Sequence, residues 1–331
     1  KTFAFPPTQS EIHITIDDTG SANGNVSKIS EVSIARTDLS TADWRIGAWN
    51  ATDGYPRTGG FYEQRLCIAG SATYPLTNWL SKTGDFENFG FSSPLEDSDS
   101  FSYRFDSGQV NDIQWLVPLG KLLMGTSGAE WRVQGYNGEA LTPFSLDAKA
   151  QSYNGSANIV PLVIGSTIVY VQRGANAVRE LTYSLEVDGY ASEDLSVLAN
   201  HLFTDYTVTE WAFAKLPYSI IWGVRSDGTL LGMTYMKEHD VWGWHRHITE
   251  GNYESICAVP GATEDFVYTI VNRTIDGDTK RFIEVSMPRI NDAVTYDYFF
   301  VDCGLTYSGA AATTITGLDH LEGEDVAVLA D

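Results

Sequence analysis

The chain has 331 residues, 43% hydrophobic and 12% aromatic, enough apolar material for one large domain with appendages or for two domains. Only 19% are charged, which argues against long solvated helices, and 43 acidic against 21 basic side chains leave a net charge of −22. Such a surface repels phosphate backbones and anionic membranes, and no basic cluster offsets it, so tight nucleic-acid binding is not expected.

Cys67, Cys257 and Cys303 lie far apart, without a Cys-x-x-Cys pair. Their odd number speaks against a disulfide framework or a Cys-rich zinc site, and each reads as a small buried hydrophobe. No apolar run is long enough for a membrane span, so no membrane insertion by this chain is expected. The chain starts without Met at Lys1 and stops just after a strand-like run, at Asp331, and is read as a piece of a longer protein.

Residues 1–50 read as an N-terminal β segment. Glu11–Ile16 and Ile29–Ala35 alternate with period two, as half-exposed strands do, and Gly20–Gly24 reads as a turn. From there, apolar runs recur: Arg65–Gly70, Lys121–Gly125, Thr167–Gln172, Ser219–Val224 and Phe266–Val271, spaced 46–56 residues apart. Blades of β-propellers repeat at about 40–50 residues. A polar turn follows each of the last four runs, at Thr126–Gly128, Arg173–Ala175, Ser226–Gly228 and Asp276–Asp278. A second strand follows each turn: Trp131–Val133, Val178–Tyr183, Leu230–Tyr235 and Arg281–Val285. The Asp-Gly pairs suit tight hairpins, because Gly takes positive φ without steric cost. A further strand precedes three of the runs, at Asp112–Leu116, Val208–Phe213 and Ser255–Val259, and is expected to end at Pro118, Pro217 and Pro260.

Such a unit cannot bury both of its faces alone, and radial packing of successive units solves this. The predicted fold is therefore all-β: a β-propeller of five or six blades over residues 51–291, flanked by small additional β segments. A sixth blade is expected from the strands around Trp44–Trp49. A long β-sandwich is the rival architecture. Residues 292–331, with Tyr298–Val301, Thr313–Gly317 and Val326–Leu329, read as the start of a further β domain. One short helix is predicted at Glu193–Leu202, capped near Ser192.

The candidate sites are weak. His245 and His247 flank Arg246 in a strand and share a face, with His239 and Asp240 nearby, so a metal site is conceivable, against ordinary surface histidines beside Trp242 and Trp244. Ser226–Thr229 resembles the Asp-box turn of sialidase propellers, without its spacing or trailing aromatic, and reads as a hairpin turn. Glu96–Asp99 lacks the Gly and distal Glu of an EF-hand loop and reads as a solvated acidic loop. Arg65, Arg179, Arg225 and Arg273 sit beside the core strands, where ion pairs between blades are expected. No Gly-x-Ser-x-Gly, His-Glu-x-x-His, P-loop or dinucleotide fingerprint occurs. No catalytic, cofactor or metal residue is assigned, and the chain is not expected to be an enzyme.

A series of short motifs resembles one family. Gly54–Pro56, Glu63–Leu66, Pro75–Trp79, Ser81–Phe86 and Asn88–Phe89 are similar to a pattern in tail proteins of short-tailed bacteriophages, the tail tubular protein B or nozzle type. Leu122–Thr126 with Glu130 and Trp131, Leu141–Pro143, Tyr218–Trp222 with Asp227 and Gly228, Trp242–Trp244 and Ile315–Gly323 follow in the same order. The resemblance spans residues 44–331, and none of its motifs is catalytic. It implies a virion tail component, a homo-oligomeric ring, commonly of six copies, below portal and adaptor proteins, whose lumen passes double-stranded DNA without tight binding. The alternative from composition is a glycan-binding or carbohydrate-active propeller at a cell envelope, with Trp79, Trp131, Trp211 and Trp242 as sugar platforms.

Overall fold

A computed structural model describes residues 47–105, 111–287 and 302–328. By contacts the chain divides into two units, residues 1–47 and 48–331. The strands expected at Glu11–Ile16, Ile29–Ala35 and Tyr298–Val301, and the start of the Trp44–Trp49 segment, lie outside the described residues.

Residues 48–331 carry five antiparallel β-sheets that follow one another in the chain as propeller blades. Blade 1 is β1 (Thr58–Tyr62), β2 (Arg65–Ala69), β3 (Thr77–Leu80) and β4 (Phe101–Arg104). Blade 2 is β5 (Ile113–Leu119), β6 (Lys121–Thr126), β7 (Glu130–Gln134) and β8 (Asp147–Ser152). Blade 3 is β9 (Leu162–Ile164), β10 (Thr167–Val171), β11 (Val178–Ser184) and β12 (Gly189–Asp194). Blade 4 is β13 (Val208–Ala214), β14 (Ile220–Arg225), β15 (Leu230–Met236) and β16 (Val241–His247). Blade 5 has three strands, β17 (Asn252–Val259), β18 (Phe266–Ile275) and β19 (Asp278–Val285). Each blade is a meander in which neighbours in sequence pair, so the connections are short and hairpin chemistry sets the register.

The hairpins use that chemistry directly. Asp276 and Gly277, both at positive φ, turn between Ile275 and its partner Asp278. Glu63 and Gln64, also at positive φ, make the two-residue turn that pairs Tyr62 with Arg65, although neither is a glycine. The first strands of blades 2, 4 and 5 share a β-bulge at the same place, between Ile113 and Trp115, Val208 and Glu210, and Tyr253 and Ser255. A bulge conserved in place from sheet to sheet marks the blades as copies of one unit.

Successive blades enclose four apolar cores. Cys67, Leu80, Leu116 and Met124 fill the first, between blades 1 and 2. Trp115, Leu123, Ile168 and Tyr170 fill the second, Val169, Phe203, Trp211 and Leu231 the third, and Trp222, Val224, Ile256 and Val267 the fourth. The same backbone bond recurs at each junction. An N–H near the start of a blade donates to the carbonyl of the preceding blade where its second strand turns into its third: Ile113 to Pro75, Ser156 to Thr126, Val208 to Ala175 and Tyr253 to Gly228. Among the described residues no apolar core joins blade 5 to blade 1.

Several local expectations change. Pro118 lies inside β5, opposite Leu122, and does not end the strand. It is tolerated because β5 is an edge strand and needs no second ladder of hydrogen bonds. The predicted helix at Glu193–Leu202 is the end of β12 followed by a 3₁₀ segment, Val197–Leu202, because Glu193 and Asp194 pair with β11. Thr313–Gly317 is not a strand, and residues 302–328 contain only a short 3₁₀ turn, Asp319–Leu321. Only Cys67 of the three cysteines is buried, and burial pushes its thiol up to about 12, whereas Cys257 is exposed and Cys303 half-buried.

Candidate functional site

The charged side chains expected between blades work mostly within them. Arg225 grips Asp227 at the end of its own hairpin through two hydrogen bonds of 2.7 and 2.6 Å, donates to the Leu202 carbonyl, and lies 3.9 Å over the Tyr206 ring. Its hydrogen bond draws the Asp227 carboxyl down to about 2. Arg273 makes the corresponding paired contact with Glu284 in blade 5, at 2.7 and 2.9 Å. Arg179 reaches Asp194 at 3.8 Å on the neighbouring strand, and buried Arg65 donates to the carbonyls of Ser81, Asp97 and Asp99. Arg65, Arg179, Arg225 and Arg273 sit beside the core strands of blades 1, 3, 4 and 5, and the short hairpins place partners for each within its own blade.

The Glu96–Asp99 loop is not simply solvated. The Asp99 side chain is 0% exposed. It accepts from the Ser92 and Glu96 N–H groups and the Ser92 hydroxyl, and pairs with Lys82 Nζ at 2.8 Å. Lys82 and these donors hold its carboxyl well below the usual range. Asp99 therefore folds the loop around itself. Two buried glutamates act similarly. Glu130 accepts from Ser152 and Ser156, and burial raises its carboxyl. Glu180 of blade 3 accepts from the Tyr235 hydroxyl at 2.7 Å and pairs with Lys237, both from the blade 4 side. This last pair crosses between blades, as does Arg57 of blade 1 with Asp112 of blade 2.

His245 and His247 do share a face of β16, with Nδ1 and Nε2 2.9 Å apart. Strand alternation turns them away from Trp242 and Trp244 and sets both against Trp222. Gly232 accommodates the His245 ring, since a Cβ there would lie 2.1 Å from it. Among the described residues no three His, Cys, Asp or Glu side chains converge as metal ligands. The Ser226–Thr229 turn is the β14–β15 hairpin, with Gly228 at φ +82°.

The four tryptophans considered as sugar platforms are packed. Trp79 meets Trp49 edge to face at 5.6 Å, and Trp131 lies 4.8 Å from Phe105. Trp211 is buried and donates to the Val160 carbonyl at 2.7 Å, and Trp242 packs on the core between blades 3 and 4.

Two clefts remain. One of about 490 Å³ lies between blades 4 and 5, lined by Thr209, Arg225, Asp227, Asn252, Tyr253 and Glu254. Thr209 and Glu254 are the extra residues of the two bulges. Its charges are already matched: Arg225 with Asp227, and Glu254 with Arg281 at 2.5 Å and Asn272 at 3.0 Å. Burial raises the Tyr253 hydroxyl to about 12, so it stays protonated. The second cleft, of about 370 Å³, is lined by Asp97 of blade 1 and by Tyr136, Glu139, Thr142, Phe144 and Ser145 of the β7–β8 loop. Sequence reading missed it. Its one local signal is the Tyr136–Gly138 turn, with Asn137 and Gly138 at positive φ.

No protein-family model matches this sequence, and no curated protein matches it. Among solved structures, the major allergen Mala s 1 of Malassezia sympodialis matches with a TM-score of 0.34 and 10% identity, over 63% of this chain and 68% of that one. A luciferin-regenerating enzyme matches with a TM-score of 0.27 and 11% identity, over 63% of this chain and 80% of that one.

Proposed function

We propose that this chain is a structural component of a bacteriophage tail, part of a ring-shaped conduit for DNA built from copies of the chain below portal or adaptor proteins. The observation that carries this reading is where the buried charges go. Arg65, Asp99, Glu130, Glu180, Arg225 and Arg273 are all engaged in holding strands, loops and neighbouring blades together. What is left outside is acidic, in a chain with net charge −22. A stiff acidic wall suits a conduit, because DNA gains affinity from cationic side chains that displace its counterions.

The motifs that resemble nozzle-type tail proteins support the same reading. Glu63–Leu66 forms the β1–β2 hairpin and supplies buried Arg65; Pro75–Trp79 supplies buried Asn78; Leu122–Thr126 is buried throughout. These residues specify packing, as expected of a structural part. Blade 5 also leaves Phe266, Ile283 and Val285 exposed, apolar surface that association of copies can cover.

Electron microscopy of the purified full-length protein tests the reading. Rings with a central channel are expected. Dispersed monomers over the whole accessible concentration range, or submicromolar binding of duplex DNA at physiological salt, would contradict it.

A further inference from the structure

The cleft between blades 1 and 2 combines exposed aromatic and acidic side chains. Two of its lining residues are exposed aromatics, Tyr136 at 53% and Phe144 at 61%. Two exposed carboxylates, Asp97 and Glu139, line the same space, and no Lys, Arg, His, Asn or Gln does.

The loop that carries the rings is firmly placed. Leu141 is buried in the core between blades 1 and 2, and its N–H donates to the Glu63 carboxylate at 2.6 Å. Tyr136 N–H donates to Ser145 Oγ at 2.8 Å, Phe144 N–H to Thr142 Oγ1 at 3.3 Å, and Thr142 and Ser145 form a β-bridge. Gly135 fits because a Cβ there would meet the Glu139 carbonyl at 2.3 Å. The backbone that carries Tyr136, Glu139 and Phe144 is thus held in place, which lowers the cost of ordering it on binding.

The chemistry is one-sided. Ionised carboxylates only accept hydrogen bonds; the Thr142 and Ser145 hydroxyls accept from backbone N–H groups and keep their O–H to donate, as does the Tyr136 hydroxyl. The cleft carries two carboxylates, no cationic side chain and two exposed aromatic residues. Anions such as phosphate or sulfate are repelled. A cation suits these residues, since carboxylates accept its N–H groups and aromatic rings attract its charge.

The geometry points to this cleft as a binding site for an organic ammonium or guanidinium group, carried either by a free polyamine or by a Lys or Arg side chain of a peptide. The site is independent of the tail reading and stands or falls without it.

The test is ¹⁹F NMR of the full chain with fluorinated Tyr and Phe, titrated with spermidine, a short Lys- and Arg-containing peptide, and maltose. Resonances assigned to Tyr136 and Phe144 by Tyr136→Leu and Phe144→Leu are expected to move with a cationic probe at millimolar concentration. Response to spermidine alone assigns the free amine; response to the peptide assigns the side-chain source. Glu139→Gln is expected to weaken binding about three- to tenfold, and 0.5 M salt to weaken it similarly. Both rings and Glu139 are exposed, so these variants keep the fold. Shifts with maltose and not with cations, no shift with any probe, or affinity unchanged in Glu139→Gln would overturn the assignment.

Discussion

Blades 2, 3 and 4 and the outer blades 1 and 5 share one topology, but their second strands differ. β6, β10 and β14 are buried along almost their whole length, because each lies in a blade with an apolar core on both faces. β2 and β18 alternate between buried and partly exposed residues, because among the described residues an apolar core packs against one face of each. Strand position alone does not fix how apolar a strand must be. The number of neighbouring sheets does, as it does for strands of doubly covered sheets in general.

The strongest challenge to this contrast compares the same kind of truncation in the two settings. Leu231→Ala, in the core between blades 3 and 4, should cost about 2–5 kcal/mol in urea unfolding. Ile283→Ala, on the outer face of blade 5 and 78% exposed, should change stability by about 0.5 kcal/mol or less. Equal losses would mean that the outer face of blade 5 is covered.

Next in size is Gly125→Ala. A methyl there would lie 2.2 Å from the Trp115 ring, which fills the space between blades 2 and 3. Overpacking of about 1–3 kcal/mol is expected by the same measurement.

Asp227→Asn tests whether ion pairs hold single blades together. The Arg225 hydrogen bonds lower the Asp227 carboxyl to about 2. Its contribution is therefore present above the unfolded value of about 3.9 and is lost as pH falls through about 2. The variant should lose about 1–2 kcal/mol at pH 7, and the difference from wild type should vanish near pH 2.

A small effect is also expected of Glu130→Gln. Burial raises the Glu130 carboxyl, so the folded state holds the proton more tightly than the unfolded chain. Stability from this group rises as pH falls from the raised folded value towards the unfolded value of about 4.3, and is lost again as pH rises. The variant should be within about 1 kcal/mol of wild type at pH 7 and should lack that acid-side gain. A large loss at pH 7 would show that the charge itself is needed.

The repeat was legible because sheets stacked on both sides demand uninterrupted apolar runs, and Thr167–Gln172 and Ser219–Val224 are such runs. The Asp276–Gly277 hairpin was legible because its turn residues are specific. The shared β-bulges were not, because an extra residue such as Thr209 carries no side-chain signature. Nor was the burial of Asp99, since four acidic or polar residues in a row look solvated until Lys82 and three backbone or hydroxyl donors are folded onto one of them. The cleft beside Tyr136 escaped notice for a related reason. It is assembled from two blades, and Asp97 and Glu139 are distant in sequence.

Native-state hydrogen exchange, read by mass spectrometry over separate strands, tests most directly whether cores between blades hold this protein together. Amides of β10 and β14 should exchange only through global unfolding, and those of β19 through a smaller, local opening. Protection in β19 equal to that in β10, or fast exchange in β14, would contradict the arrangement of cores described above.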